Sequence, residues 1–331
     1  MLRTTEQAPI EQELESYRKA LTGYCYRMIG SGAEAEDAVQ ETMVRAWKSA
    51  DKLQDRAALK AWLFRIANNV CLDMLGSAQR RATPMDMGPS SDADAPLGAM
   101  LADSAWVRPI ADAKVLEPTA DPAELAAEKE TLRLAFVAAL QHLPAKQRAV
   151  LILREVLAWR ASEVAELLGT SVASVNSALQ RARATLAENG GTGADAATSD
   201  PLDEEQQKLL ERYVEAFEGY DMTALTALLH EDAVMTMPPF DLWLRGTDDI
   251  TGFMTTLGAA CAGSRLVPVE VNGLPGFAQY KPDEDGRGFS AWSVQVLEIS
   301  KGRVSGFHFF LDTARWFPLF DLPLHLEAES D

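Results

Sequence analysis

Little in this 331-residue chain is suited to holding a metal or closing a disulfide. The three cysteines, Cys25, Cys71 and Cys261, lie far apart with no CxxC spacing. The four histidines, His142, His230, His308 and His325, include no two at metal-ligand spacing. The expectation is small buried thiols in a reducing compartment, with no metal and no cofactor. Long apolar runs are missing too. None approaches the ~18 residues of a membrane helix, and the opening MLRTTEQAPIEQELESYRKA lacks the apolar stretch of a signal peptide. These absences point to a cytoplasmic protein with no membrane partner. Cations are also scarce: 31 Lys and Arg stand against 49 Asp and Glu, a formal net charge of -18. That argues against a non-specific DNA coat, because such binding runs on phosphate neutralisation by Lys and Arg. It leaves room for a small basic face on an acidic body, and for a basic or mixed partner.

Hydrophobic residues make up 47% and charged residues 24% of the chain, a globular composition at a length that suits two or three domains. Residues 11–81 read as helical. Leu21, Tyr24, Cys25, Met28 and Ile29 recur at helical spacing, then the chain breaks at Gly30-Ser31-Gly32. A second helix over 34–50 puts Ala35, Val39, Thr42 and Ala46 near one face, and a third over 57–78 does the same with Leu59, Trp62, Leu63, Ile66 and Val70. Residues 82–121, rich in Ala, Asp, Pro and Ser, show no sustained period and read as a linker, disordered in part. Trp106 stands out there and is expected to dock on a neighbouring domain. Helical pattern resumes over 122–189. A short flexible linker, 190–201, follows. Over 202–331 two helices precede strand-like runs at 233–237, 266–272, 290–299 and 304–312. The last two are separated by Ser300-Lys301-Gly302, a hairpin signal, so this part is α+β.

RASEVAELLGTSVASVNSALQRARATLAE has the pattern of a helix-turn-helix. Val164, Leu167 and Leu168 are apolar on the first helix, Gly169 suits its left-handed end, and Thr170 or Ser171 can cap the second. On that second helix Val172, Val175, Leu179, Ala182 and Leu186 form a seam at spacings of 3 and 4. Ser174, Ser177 and Arg181 fall opposite it, with Asn176, Gln180 and Arg183 at its flanks. Such a face fits a major groove, where Arg pairs with guanine and Asn or Gln with adenine.

Two longer stretches narrow the role. GAEAEDAVQETMVRAWKSADKL with LKAWLFRIANNVCLDML resembles region 2 of the bacterial sigma-70 family in its extracytoplasmic-function (ECF) group, and LPAKQRAVLILREVLAWRASEVAELLGTSVASVNSALQRARATL is similar to region 4 of that group. The resemblance implies two all-α domains, at 11–81 and 122–189. It implies that Asp37, Gln40 and Glu41 dock on the β′ subunit of RNA polymerase core, with the β subunit also a partner. It further implies that Lys52, Arg56, Lys60, Arg65, Asn68, Asn69, Arg80 and Arg81 serve the -10 element as its strand opens. The -35 element would fall to Ser174, Asn176, Ser177, Gln180, Arg181 and Arg183. The chain departs from the family where Leu75 and Gly76 replace a usual basic residue, and at Asn176 and Ala178, where many members carry Arg.

Residues 202–331 resemble SnoaL-like, nuclear-transport-factor-2-like (NTF2-like) domains through YVEAFEGYDMTALTALLHEDAVMTMPP, LWLRGTDDITGFM and AWSVQVLEISKGRVSGFHFFLD. The implied fold is an NTF2-like cone-shaped sheet wrapped by helices around an apolar pocket. His230, Asp232, Trp243, Tyr280, Trp292 and His308 are the pocket candidates, and a small-molecule ligand is an allowed partner. Related domains include enzymes with an Asp/His pair, yet acid–base work needs those groups to converge on one substrate, and fold alone does not settle function.

The leading expectation is a bacterial alternative sigma factor regulated by its C-terminal domain and not itself an enzyme. One alternative is a DNA-binding regulator fused to a cyclase- or isomerase-type enzyme domain. Another is a ligand-responsive repressor, against which the acidic, Gln-containing helix at 34–50 counts. Sparse phosphate contacts give a direct expectation. The isolated protein should show little affinity for duplex DNA at physiological salt in fluorescence anisotropy, and tight, salt-resistant binding without polymerase would refute it.

Overall fold

The computed structural model describes residues 10–53, 55–76, 81–98, 100–117, 121–188 and 204–328; the stretch read as a short flexible linker, 190–201, and the candidate Arg80 lie outside them. Its helices are α1 (Ile10–Glu15), α2 (Arg18–Ile29), α3 (Gly32–Lys48), α4 (Leu59–Leu75), α5 (Pro122–Glu130), α6 (Leu134–Gln141), α7 (Ala145–Leu151), α8 (Ala161–Leu168), α9 (Val172–Glu188), α10 (Glu204–Glu218), α11 (Met222–Leu228), α12 (Thr247–Thr255) and α13 (Thr313–Trp316). Its strands are β1 (Leu229–Thr236), β2 (Trp243–Arg245), β3 (Arg265–Val271), β4 (Leu274–Pro282), β5 (Gly288–Ser300), β6 (Arg303–Phe310) and β7 (His325–Glu327). The chain divides into two compact units. One is drawn from residues 1–78, 114–119 and 139–191, the other from 79–113, 120–138 and 192–331.

The first unit is all-α. Gly30 ends α2 in the left-handed region (φ 78°), and Ser31 caps α3, its Oγ accepting from the Glu34 amide at 3.5 Å. Asp55 opens the turn into α4 by accepting the Ala57 amide at 2.9 Å. The apolar seams meet in a core of Leu21, Tyr24, Val39, Leu63 and Phe64, all at most 1% exposed. Cys25 and Cys71 are buried free thiols in the same core. Helices α7 to α9 pack in the same unit. Phe64 of α4 meets Trp159 at 5.2 Å between ring centres. Arg148 of α7, 5% exposed, places its guanidinium on the Gln141 side chain (2.6 Å), the Leu143 carbonyl (3.1 Å) and the Met28 carbonyl of α2. Burial lowers Arg148 to about 10. Backbone carbonyl dipoles, rather than a carboxylate, therefore compensate a buried charge and join α7 to α2.

The second unit contains a sheet ordered β2-β1-β6-β5-β4-β3, with β7 added to β5. Strands β1 and β6 run parallel and the other pairs antiparallel. The β5–β6 hairpin turns at Lys301-Gly302, both with positive φ, where the sequence signals it. Strand β4 is not among the expected runs; Pro275, Gly276 and Pro282 are poor strand formers. It pairs along its length with β3 and β5. Alternation sends Phe277, Leu297, Phe307 and Phe309 to one sheet face, where they form a core with Tyr213 and Phe217 of α10, Leu225 of α11 and Phe253 of α12.

The expected linker is not a free tether. The Ala82 amide donates to the Ala105 carbonyl (2.8 Å) and the Val107 amide to the Ala82 carbonyl (3.0 Å), which makes a short parallel bridge between Ala82 and Trp106. Trp106 is fully buried, its indole N–H donating to the Pro239 carbonyl at 3.2 Å. Arg108, 1% exposed, lies over the Trp316 ring at 5.0 Å. Upstream, the Ser91 amide donates to Trp243 O (2.8 Å) and the Ala93 amide to Asp249 (3.2 Å). The segment lacks a period because its contacts lie in the sheet-containing unit, not within itself. Trp106 docks, as its isolation in a polar stretch led us to expect.

Asp112, 2% exposed, accepts the Gly273 amide at 2.8 Å. Burial raises its carboxyl from 3.8 to about 6, with that hydrogen bond and Lys129 opposing and Glu270 adding to the rise. The folded chain thus holds this proton more tightly than the unfolded one. Stability from this group is full below about pH 4 and is lost as pH rises through about 6. A rise of this size corresponds to about 3 kcal/mol. Asp112→Asn should therefore gain on wild type by up to about that amount between pH 4 and pH 7, read by denaturant unfolding at each pH; an unchanged difference would refute the assignment.

Candidate nucleic-acid interface

The seam of α9 buries Val175, Leu179, Ala182 and Leu186 against the rest of the first unit. Gly169 (φ 62°) closes α8, and Ser171 caps α9, its Oγ accepting the Ser174 amide at 3.2 Å. Val172 corrects the seam: it is 43% exposed, because it sits in the first turn, beyond the reach of α7 and α8. Ser174, Asn176, Ser177, Gln180 and Arg181 are all exposed along α9. Ser174 Oγ also lies 2.9 Å from Ser171 Oγ. Arg183 is exposed as well, but its guanidinium pairs with Glu155 (2.6 and 2.5 Å). An exposed pair of this kind is worth about 0–1 kcal/mol, so a phosphate could displace it.

Asp37, Gln40 and Glu41 share one exposed face of α3. Glu41 pairs with Arg45 at 2.6 Å, and Arg45 reaches Asp73 of α4 at 3.3 Å. The same face carries Val44, 39% exposed, and Trp47, 61% exposed. The sequence reading missed both. Their signal is a phase error: Val44 and Trp47 fall outside the Ala35, Val39, Thr42, Ala46 stripe, so a helix burying that stripe must expose them.

The residues expected to serve the -10 element do not share one surface. Asn69 and Arg65 are exposed on α4, though Arg65 donates to the Glu166 carbonyl of α8 at 3.2 Å. Lys60 lies 5.4 Å over the Trp159 ring. Arg56 pairs with Glu13 of α1, and Lys52 ends the short turn Ala50–Lys52. Two expectations are corrected. Asn68 is 3% exposed and accepts from the Tyr24 hydroxyl at 3.0 Å, so its amide serves the core between α2 and α4 rather than a base edge. Arg81 is 5% exposed and donates to the Trp106 carbonyl at 2.9 Å, which makes it a clamp on the docked segment rather than a phosphate contact. Trp62, expected in the core, is only half-buried.

The six pocket candidates of the second unit do not converge. His230 and Asp232 lie at the start of β1, where the Asp232 amide donates to His230 Nδ1 (3.2 Å) and exposed Asp232 pairs with Arg245 (3.3 Å). His308 pairs in register with Thr236, at the far end of β1, roughly 20 Å from His230 along the strand. His308 is 6% exposed, its Nδ1 is 2.8 Å from Thr236 Oγ1, and its Nε2 is 3.5 Å from Glu298, too long for a good hydrogen bond. It alternates with Phe307 and Phe309, so it points to the sheet face opposite the helix-covered core. Trp243 donates to the Gly88 carbonyl at 3.0 Å. Tyr280 is buried edge-on to Phe317 and donates to the Pro323 carbonyl at 2.9 Å. Trp292 is 39% exposed beneath Lys281, 4.1 Å from its ring.

The polar groups that do face the helix-covered side went unread in the sequence. Tyr213 donates to Gln295 (2.9 Å), Gln295 to Gln279 (3.0 Å), Ser293 to Gln279 (2.8 Å), and Gln279 to Ser264 (2.9 Å), all at most 1% exposed. Burial pushes the Tyr213 phenol well up, so it stays a donor. The available signal was Gln295 in phase with Leu297 and Ile299, a polar residue on an otherwise apolar face.

Two helical modules, the second a helix-turn-helix, precede an α+β domain, and this arrangement defines a sigma-factor class of architecture. The sigma-70 region 2 model matches residues 14–81, the sigma-70 region 4 model 133–186 and the SnoaL-like domain model 210–307. The ECF RNA polymerase sigma factor SigG of Mycobacterium tuberculosis is 42% identical over 317 residues, spanning 93% of this chain and 82% of that one. SigJ of the same organism, also described as an ECF RNA polymerase sigma factor, is 28% identical over 309 residues, 88% of each. The crystal structure of M. tuberculosis SigJ shares the fold, with a TM-score of 0.57 at 24% identity over 95% of this chain and 99% of that one. The chain belongs to the ECF group of the sigma-70 family, with a SnoaL-like C-terminal domain. That match overturns the expectation that the chain is not an enzyme. The SnoaL-like class, as the resemblance implies, includes enzymes, so catalytic capacity belongs to this fold. Among the described residues no helix is long and apolar enough to cross a membrane, and no group of three or more His, Cys, Asp or Glu could hold a metal.

Trp159 joins the two helical modules through Phe64 and Lys60. Trp159→Ala should cost about 3 kcal/mol in urea unfolding and raise hydrogen exchange over 59–70 more than over 18–29. A cost under about 1 kcal/mol would show that the contact carries little of the packing.

Proposed function

We propose that the chain directs promoter-specific initiation by RNA polymerase, with regulation by its C-terminal domain. The observation that carries this is the exposed face of α3, where Trp47 and Val44 stand beside Asp37, Gln40 and Glu41. A large exposed aromatic ringed by acid and amide groups suits a protein partner, the β′ subunit of core polymerase, with Trp47 as the anchor. A repressor acting on duplex DNA alone has no use for it. The exposed face of α9 serves the -35 element through Asn176, Gln180 and Arg181, with Ser174 and Ser177 allowing close approach. Arg65, Asn69 and Lys60 serve the -10 strand, aided by Lys52, Arg56 and Arg80. A reader with so few cations gains its promoter through polymerase rather than from free DNA.

Mixing the full-length protein with core polymerase and a promoter library should give specific initiation, and its absence would refute the reading. Trp47→Ala should weaken core binding about tenfold or more while leaving thermal unfolding unchanged. Equal core affinity would remove Trp47 from the interface.

A further inference from the structure

Cys25 of α2 and Cys71 of α4 are free thiols that the sequence keeps far apart and the fold brings together. Phe64, Asn68 and Cys71 recur at helical spacing and form one stripe of α4. That stripe lies on Tyr24 of α2. The Tyr24 ring meets Phe64 edge-on at 5.5 Å between centres, and its hydroxyl donates to Asn68 Oδ1 at 3.0 Å. Cys25 follows Tyr24 directly, and its thiol donates to the Cys71 sulfur across the α2–α4 interface. Both residues are 0% exposed.

The two sulfurs have different surroundings. The bond to Cys71 and burial push the Cys25 thiol well up, which keeps it protonated. Cys71 instead lies within the field of the Arg148 guanidinium. That cation is 5% exposed and bonds carbonyl oxygens rather than a carboxylate, and its Nε is buried without a hydrogen-bond partner. A buried cation so placed favours negative charge on the neighbouring sulfur, the form that acts as a nucleophile. Tyr24 offers no competing charge, because burial and both thiols push its phenol well up.

We propose that Cys25 and Cys71 form a peroxide-oxidisable dithiol, with Cys71 attacking and Cys25 resolving, that reversibly ties α2 to α4. The Cys71 sulfur attacks one oxygen of hydrogen peroxide. The O–O bond breaks, an S–O bond forms, and the leaving hydroxide takes up the Cys71 proton as water. The Cys25 sulfur then attacks the Cys71 sulfenic acid. The S–O bond breaks, the S–S bond forms, and the second oxygen leaves as water with the Cys25 proton. Two electrons pass from the sulfurs to hydrogen peroxide, which is reduced to two waters. A small neutral oxidant suits a pair with no exposed surface. The disulfide is of the transient, sensing kind rather than a fixed staple. This chemistry does not depend on promoter recognition.

Cys261, the half-buried third thiol, is removed by Cys261→Ala so that the pair reacts alone. That full-length variant, treated with hydrogen peroxide, should lose the mass of two hydrogens and yield a cross-linked Cys25–Cys71 peptide in mass spectrometry. Dithiothreitol should restore the reduced mass. With Cys25→Ala added, dimedone should trap a sulfenic acid at Cys71. With Cys71→Ala added instead, oxidation of Cys25 should be about tenfold slower or more. Circular dichroism checks that each variant keeps its helices, and the cross-link itself is read with both cysteines in place. Both thiols still free once peroxide has oxidised an equal concentration of glutathione would overturn the proposal. A sulfenic acid trapped at Cys25 and not at Cys71 would overturn the assignment of attacking and resolving sulfurs.

Discussion

The burial of Trp106 is the constraint on which the arrangement of this chain depends. An indole with no exposed surface and its N–H held by the Pro239 carbonyl commits the surrounding residues to the sheet-containing unit. Arg81 then clamps the Trp106 carbonyl, Arg108 stacks on Trp316, and Asn272 captures Ile110. A stretch with no period of its own becomes ordered because its backbone groups find partners on the hairpin next to it, and unpaired they would be costly to bury. The same stretch links the two helical modules in sequence. A chain cut after residue 200 would lose the sheet that covers Trp106, and its behaviour would report an exposed segment as well as a missing domain.

Within the all-α unit a different interaction dominates. Arg148 is buried without a carboxylate and compensated by carbonyl oxygens from α2 and its own turn, which fixes α7 on α2 through hydrogen-bond geometry rather than ion pairing. Together with Phe64 and Trp159 it sets the modules against each other. Lys60 and Arg65, two cations expected to serve the -10 strand, are engaged at the same junction, over the Trp159 ring and on the Glu166 carbonyl.

The C-terminal sheet separates two kinds of polar group. His308, which by residue type looks catalytic, faces away from the helix-covered core, while the Tyr213, Gln295, Gln279 and Ser264 chain faces into it. Any chemistry or ligand recognition on the covered side would start from amides and hydroxyls already bonded to one another. A buried network that is fully satisfied favours one arrangement of the surrounding core.

Local signals made much of this legible in the sequence. Apolar stripes at 3.6 spacing located α2, α3 and α4, the Gly169 turn and Ser171 cap marked the helix-turn-helix, and Lys301-Gly302 marked a hairpin. Each is a property of neighbours within a few residues, so sequence order alone carries it. The Asn272-Gly273 turn was equally local, yet it was masked by the prolines and glycine of β4. Asn68 and Asn69 are adjacent and chemically identical, but a helix turned by 100° per residue buries one under Tyr24 and exposes the other. Arg81 reads as a -10 element ligand until Trp106 is placed beside it, and His308 as a pocket residue until the strand's phase is known. What the sequence determined by itself is the order and kind of the modules, because helix period, capping and turn chemistry are encoded between near neighbours. Which polar groups are exposed, which face the core and which unit owns residues 81–113 were decided by tertiary packing, because those depend on partners 25 to 162 residues away in sequence.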